Sequence, residues 1–345
     1  MRRPSLDILR GLDVALLLLV EWVLPSSAYS WWRHSPWLGI RVPDVVFPLF
    51  LFLVGASMAA GRRRGWRRHV RRGVTLIVVG LAFNAWGDSN ADLAHLRIPG
   101  VLQMIGVAGL LSALAVWACR ERVAAVAATA FGLVAAHGLV LSHFPIACGT
   151  GRLVPGCSAP WVIDRHVFGL AHVYHAGQYG HDPEGLVTSV LGATAFVLIG
   201  WVAVRLLEDP GLALLFTSAT LAGAGAAALV YPPMKRLWTP TFTLLLAAGF
   251  VGALLALSLL LDGRAHRRPQ PVRWTIAALG RNALLVYVSQ HVVLTSLEAT
   301  KTGDHSLADA LLDHTGSLLG VALVAVVAWT ALAAVLRALG WYVTV

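Results

Sequence analysis

Charge is what this sequence has least of. Asp, Glu, Lys and Arg make up 13% of its 345 residues, about half the share found in soluble domains. Hydrophobic residues make up 57% and the mean hydropathy is +0.72. An ordinary water-soluble globule is excluded, and an integral membrane protein is expected. Lysine is nearly missing, with only Lys235 and Lys301. The basic charge is arginine, gathered in short segments between apolar runs. A net charge of +10 would point to nucleic acid in a soluble chain. Here the positive-inside bias of membrane loops accounts for it, and no nucleic-acid partner is expected. Cysteine is also scarce, with three in all. Cys148 and Cys157 lie in a segment with Gly and Pro between them; an oxidising exterior would favour a disulfide. Their spacing matches no zinc pattern, so no metal is expected. No small-residue cleavage site follows Met1-Arg2-Arg3, so the first apolar helix is expected to be retained.

What is present is a series of about ten apolar runs long enough to span a bilayer. They fall near 8–25, 44–61, 73–87, 98–118, 123–142, 185–207, 210–231, 240–261, 274–297 and 316–339. The expected fold is all-α: a polytopic membrane helix bundle forming a single domain over 1–345. The connection at about 143–184 is too long for a bare linker. It holds five histidines and reads as an outward insertion. Seven arginines between Arg62 and Arg72 mark a cytoplasmic loop. Counting helices from there places Arg120, Arg122, Arg205, Arg273 and both termini inside. His34, 143–184 and 231–239 then face outward from a cell (plasma) membrane.

Several polar residues are out of place on lipid-facing helices. Asp7, Arg10 and Asp13 are three apart on the first run, close to one helix face, and could form ion pairs that only fix helix docking. Glu21 sits in LLLLVEWVL, where charge is costly unless it faces a cavity or a partner. His34 is flanked by Trp31, Trp32 and Trp37, residues suited to a membrane–water interface. The bland alternative is a merely interfacial histidine. Asp44 precedes VVFPLFLFLVG and could act as a helix N-cap. Arg97 and Gln103 lie in HLRIPGVLQ, Asp182 and Glu184 in HDPEG, and Lys235 and Arg236 in PPMKRLWTP. Helix capping alone would explain the HDPEG carboxylates. Asn282, Ser289 and His291 interrupt the apolar run LGRNALLVYVSQHVV. They need partners, which polar packing between helices could supply.

In order, SLDILRG, RHSPW…DVVFPLFLFLVG, LRIPGVLQ, DPEG, KRLWTP and LGRNALLVYV resemble the transmembrane acetyltransferases typified by heparan-α-glucosaminide N-acetyltransferase, including their bacterial branch. The resemblance runs from Ser5 to about His291. It implies transfer of an acetyl group from cytosolic acetyl-CoA to an amino-sugar or other glycan acceptor on the far side of the membrane. The family's active-site histidine falls on His34, and the aspartate of its DLVFP motif on Asp44. A family asparagine falls on Glu21, and Met104 stands where the family motif LQR has arginine; both are departures.

Histidine at such a position can act as general base or acetyl carrier, with Asp44 or Glu21 orienting the ring. Asn282, Ser289 or a backbone N–H could serve the thioester oxygen. Arg10, Arg97, Gln103, Asp182, Glu184, Lys235, Arg236, Asn282, Ser289 and His291 are the expected substrate- and donor-binding residues. The expected partners are the lipid bilayer, acetyl-CoA, a glycan acceptor and, optionally, a second copy of the chain. Two other readings stay open: a transporter of a small polar or anionic solute, and an inactive sensor or assembly protein.

Overall fold

The structure is a computed structural model that describes residues 3–23, 30–61, 65–87, 92–174, 183–262, 271–302, 305–307, 311–312, 315 and 317–342. Asp182, Arg62, Arg63, Arg64, Arg264, Arg267 and Arg268 lie outside the described residues. Twelve α-helices are present among those described: α1 (Pro4–Val23), α2 (Pro43–Ala60), α3 (Trp66–Gly87), α4 (Val101–Ala118), α5 (Val123–His143), α6 (Ala159–Phe168), α7 (Thr188–Leu206), α8 (Pro210–Ala228), α9 (Pro240–Leu261), α10 (Pro271–Arg281), α11 (Ala283–Ala299) and α12 (Leu318–Ala338). Among the described residues one strand pair occurs, Lys301–Thr302 with His305–Ser306, besides isolated bridges at Gly39–Met234 and Val154–Cys157. Proline starts α1, α2, α8, α9 and α10, where its missing N–H costs nothing and its fixed φ suits the first turn. Asp209 and Ser317 cap α8 and α12 by accepting the N–H groups of Leu212 and Gly320.

All ten expected runs are helical, with two qualifications. Seven are long and apolar enough to cross a membrane: α2, α4, α5, α7, α8, α9 and α12. Helix α1 carries Asp7, Arg10, Asp13 and Glu21, and α3 begins among arginines. The ninth run breaks at Asn282, whose backbone (φ −107°, ψ 23°) separates α10 from α11. The 143–184 connection contains α6 and the Cys148–Cys157 disulfide, whose Cα atoms are 6.1 Å apart.

The helices pack as two groups. Helices α2, α4, α5, α7 and α9 share a core that includes Phe52, Phe196, Trp238, Phe242 and Phe250. Helices α1, α10, α11 and α12 share another, with Val14, Leu18, Trp22, Leu279, Val286 and Ala325. Two close backbone approaches set the geometry. A Cβ at Gly55 of α2 would stand 1.7 Å from the Val197 carbonyl oxygen of α7, and one at Gly200 would stand 2.0 Å from that of Phe52. Likewise Gly11 of α1 faces the Ile276 carbonyl of α10 at 2.0 Å, and Gly280 faces that of Asp7 at 2.5 Å. The glycines of SLDILRG, FLVG and LGRN are therefore packing residues, as expected where backbones rather than side chains meet between membrane helices.

Loops tie each end together. At one end Gly39 donates to Pro233 O (2.8 Å), Ile98 to His172 O (2.9 Å) and Trp37 Nε1 to Leu153 O (2.8 Å). At the other, Arg3 pairs with Glu208 (3.6 Å) and Asp262 (3.9 Å), and Ser5 bonds Asp262.

Gly55→Ala and Gly200→Ala should each cost about 1–3 kcal/mol or more by forcing α2 and α7 apart. Gly249→Ala, with nothing within 4 Å of the new Cβ, should be neutral or slightly stabilising. Thermal unfolding of the purified protein in detergent measures all three. Equal behaviour would remove the α2–α7 contact as a stability determinant.

Candidate active site

Helix α2 begins with Pro43, and its next residue, Asp44, does not cap it. Val42 occupies the N-cap position, and the Asp44 carboxylate reaches back over the preceding loop. It is wholly buried. Oδ2 accepts the N–H groups of Ser35 (3.1 Å) and Arg41 (2.9 Å), and Oδ1 lies 2.8 Å from His34 Nδ1. One carboxylate thus folds segment 34–41 onto the helix start. Because an ionised carboxylate only accepts, the ring proton sits on Nδ1 and Nε2 keeps its lone pair. His34 retains 41% of its side-chain surface, so that lone pair is reachable.

Lys235 comes from the 229–239 segment. Its turn is held by Thr239, whose hydroxyl donates to Pro232 O (2.8 Å) and accepts the Met234 N–H (3.1 Å). The Lys235 Nζ is 3.1 Å from His34 Nδ1, 3.4 Å from Nε2 and 3.9 Å from Asp44 Oδ1. With Nδ1 donating to Asp44, the ammonium, at similar distances from both ring nitrogens, stands over the ring as a charge and leaves the in-plane Nε2 lone pair free. Burial, and then the charge of Lys235, lower the His34 pKa from the ordinary histidine value, against the opposing pull of Asp44. Burial also lowers that of Lys235, with Asp44 opposing. A neutral imidazole beside an ammonium is the state this arrangement favours at neutral pH. Arg236 is turned away; its Nε donates to Pro36 O (3.2 Å) and props the His34 loop.

A cavity of about 480 Å³ opens from this cluster between the two helix groups. At the His34 end it meets Lys235, Glu21, His291, Arg97 and Glu184. Arg97 and Glu184 pair at 2.6 Å. Asn84 Nδ2 holds the Arg97 segment by donating to the carbonyls of Arg97 (2.8 Å) and Pro99 (3.1 Å). Glu184 is fixed by the start of α7, where the Ser189 hydroxyl donates to its carbonyl (3.0 Å) and Asp164 accepts the Leu186 N–H (2.8 Å). The DPEG glycine is required here: a Cβ at Gly185 would overlap the Asp164 carboxylate. The middle of the cavity is apolar, with Val46, Phe47, Phe50 and Leu53, and meets Gln103. The Gln103 Nε2 has no hydrogen-bond partner among the described residues.

At its other end the cavity meets Arg10, Ser57, Arg72 and Arg281. Arg10 donates to Ser57 Oγ (2.6 Å) and pairs with Asp7 (3.4 Å), which also meets Arg281 (3.5 Å). Asp13 interacts with Arg10 by charge alone; neither carboxylate oxygen has a hydrogen-bond partner among the described residues. A second cavity of about 390 Å³ shares Ser57, Arg72 and Leu76 with the first and adds Trp66, His69, Trp117, Trp201 and Arg205.

Among the expected residues, therefore, Arg10, Glu21, His34, Arg97, Gln103, Glu184, Lys235 and His291 meet one cavity, and Asp44 supports it from behind. Glu21 stands beside His291, at 3.7 Å, and the carboxylate on His34 is that of Asp44. Asn282 is buried at the helix break and Ser289 donates to Leu285 O within its own helix; neither lines the cavity. Arg72 closes the Arg62–Arg72 segment expected at the cytoplasmic face, whereas Arg281, Asn84, Phe83 and Tyr287 were not singled out from sequence. Arg281 stood within LGRN, but only the break after it turns that side chain toward α1. No group of three or more potential metal ligands occurs among the described residues.

Lys235→Met should raise the His34 pKa, and Asp44→Asn should lower it, as followed by NMR titration of the labelled imidazole. An unmoved titration in Lys235→Met would detach the lysine from His34.

Residues 2–151 match the family described as heparan-alpha-glucosaminide N-acetyltransferase, catalytic. The mouse heparan-alpha-glucosaminide N-acetyltransferase is 26% identical over 85% of this chain and 54% of its own length. The human protein of the same name is 24% identical over 84% and 53%. The chain spans about half the length of the curated relatives it matches. By its motifs, its matched segment and these relatives, the chain resembles the heparan-alpha-glucosaminide N-acetyltransferases over most of its length.

Proposed function

We propose that this chain is a membrane acyltransferase that moves an acetyl group from acetyl-CoA to an amino-sugar or other glycan acceptor on the opposite side of the membrane. The observation that carries this reading is the cavity with arginines at one end, apolar walls in the middle and a His–Asp–Lys cluster at the other. That order suits a donor with phosphates, a long thin arm and a thioester. Arg10, Arg72, Arg281 and, through the second cavity, Arg205 supply cations for phosphate oxygens. The arginine end faces the cytoplasm, following the positive-inside bias, and the His34 end faces outward. The ten helical runs act as a single domain.

His34 is the general base. Its Nε2 takes a proton from the acceptor nitrogen or hydroxyl as that atom bonds to the thioester carbon. The same nitrogen then returns a proton to the sulfur as the C–S bond breaks. Asp44 holds the ring in the tautomer this requires and stabilises the imidazolium between the two steps. The Lys235 ammonium and the Gln103 amide are the donors for negative charge developing on the thioester oxygen. Lys235 also keeps the resting imidazole neutral.

His34→Ala should leave the fold intact, because a half-exposed loop ring contributes little core packing. It should lower acetyl transfer by about a hundredfold or more, measured as turnover of labelled acetyl-CoA with amino-sugar acceptors in proteoliposomes. Equal rates in the two proteins would remove His34 from the reaction. Arg72→Ala should raise the KM for acetyl-CoA more than it lowers kcat.

Sidedness has its own test in intact cells. A cysteine replacing Gly65 should react only from the cytoplasmic side, and one replacing Leu38 only from outside. The reverse pattern would invert the proposed direction of transfer.

A further inference from the structure

We infer that Glu21 selects the acceptor: it binds an ammonium group that the acceptor carries in addition to the atom being acetylated. The inference rests on the acyltransferase reading for the reaction and on the charges of the cavity for the binding. Near His34 each of the other carboxylates is already engaged, Glu184 by Arg97 at 2.6 Å and Asp44 by His34 and two backbone N–H groups. Glu21 is different. Its nearest charged or chargeable partner among the described residues is His291 Nε2 at 3.7 Å, beyond hydrogen-bond reach.

The orientation of His291 is fixed from behind. The Trp22 indole can only donate, and it donates to Gln290 Oε1 (3.1 Å), so the Gln290 amide nitrogen is the atom 2.6 Å from His291 Nδ1. That amide donates, Nδ1 accepts, and the His291 proton sits on Nε2, on the Glu21 side. Phe83 and Tyr287 flank the ring, with centroids 5.4 and 5.3 Å away. Glu21, Phe83, Tyr287 and His291 all line the cavity. The result is a carboxylate on an aromatic wall, with one weak donor nearby and room for a stronger one.

A carboxylate removed from bulk water on a membrane helix is costly without a cation or strong donors. The nitrogen that attacks the thioester must be neutral, so the cation on Glu21 has to be another group of the same acceptor. A diamino sugar fits, with one amine held as ammonium at Glu21 and the other offered to His34. The asparagine implied at this position by the family resemblance would accept a hydrogen bond without that charge preference.

Calorimetric binding without acetyl-CoA tests this directly, with glucose and a diaminohexose as probes at neutral pH. Wild type should bind the diaminohexose at least about tenfold more tightly. Glu21→Gln should bring the ratio close to one, and Glu21→Asp should keep part of it. In turnover assays the Glu21→Gln effect should fall on the KM for the diaminohexose. A wild type without preference, a Glu21→Gln protein that keeps it, or equal losses for both sugars would each overturn the inference. Failure of acetyl transfer with an intact, Glu21-dependent binding preference would instead overturn the acyltransferase reading alone.

Discussion

Taking a carboxylate out of water costs several kcal/mol unless hydrogen bonds replace its hydration, and Asp44 has no exposed surface at all. Its four interactions with His34, Ser35, Arg41 and Lys235 answer that cost, and in doing so build the site. Two of them are backbone bonds that fix the loop. The third fixes the tautomer of His34, and the fourth draws in a lysine 191 residues away in sequence (235 minus 44). Loss of Asp44 would release the loop, the ring and the lysine together.

That cluster needs a cavity behind it, and the cavity depends on how the two helix groups meet. Within each group the backbones meet at glycines, Gly55 against Val197, Gly200 against Phe52, Gly11 against Ile276 and Gly280 against Asp7, so α2–α7 and α1–α10 are tight. Between the groups the contact is looser and lined by side chains of α1, α2, α3, α4, α10 and α11. Tight pairs flanking a looser seam allow an internal cavity without exposing backbone groups to lipid, which a membrane interior does not tolerate. Rigid packing and the cavity therefore share one origin, the distribution of small residues along the helices.

Much of this is legible in the sequence. Apolar runs of near-constant length predict the helices, because hydrocarbon demands about twenty residues per crossing. His34 and Asp44 stand out because aromatic and charged residues cluster where the apolar run begins. Glu21 shows the limit. Sequence places it at the same depth as His34, since both lie near the same end of adjoining helices. Depth follows from counting residues, but the direction a side chain faces depends on which helix packs beside it. Helix α11, coming alongside α1, turns Glu21 to His291. Asn282 has the same explanation: in sequence it is a polar group in a span, whereas in the fold it marks where the span breaks.

The sequence by itself determined the all-helical membrane architecture, the grouping of arginines at alternate loops, the cysteine pair and the resemblance that singles out His34. These are properties of composition, spacing and order, and neighbours along the chain suffice to express them. Only the tertiary structure decided that Lys235 reaches His34, that Arg97 meets Glu184, that Glu21 is left with a distant partner and that Arg10, Arg72 and Arg281 share a cavity with all of them. The reason is physical. Each of these relations joins segments far apart in sequence, and the helices that carry or flank them are set in rotation and crossing by backbone contacts at a few glycines that leave no trace of their partners in the chain.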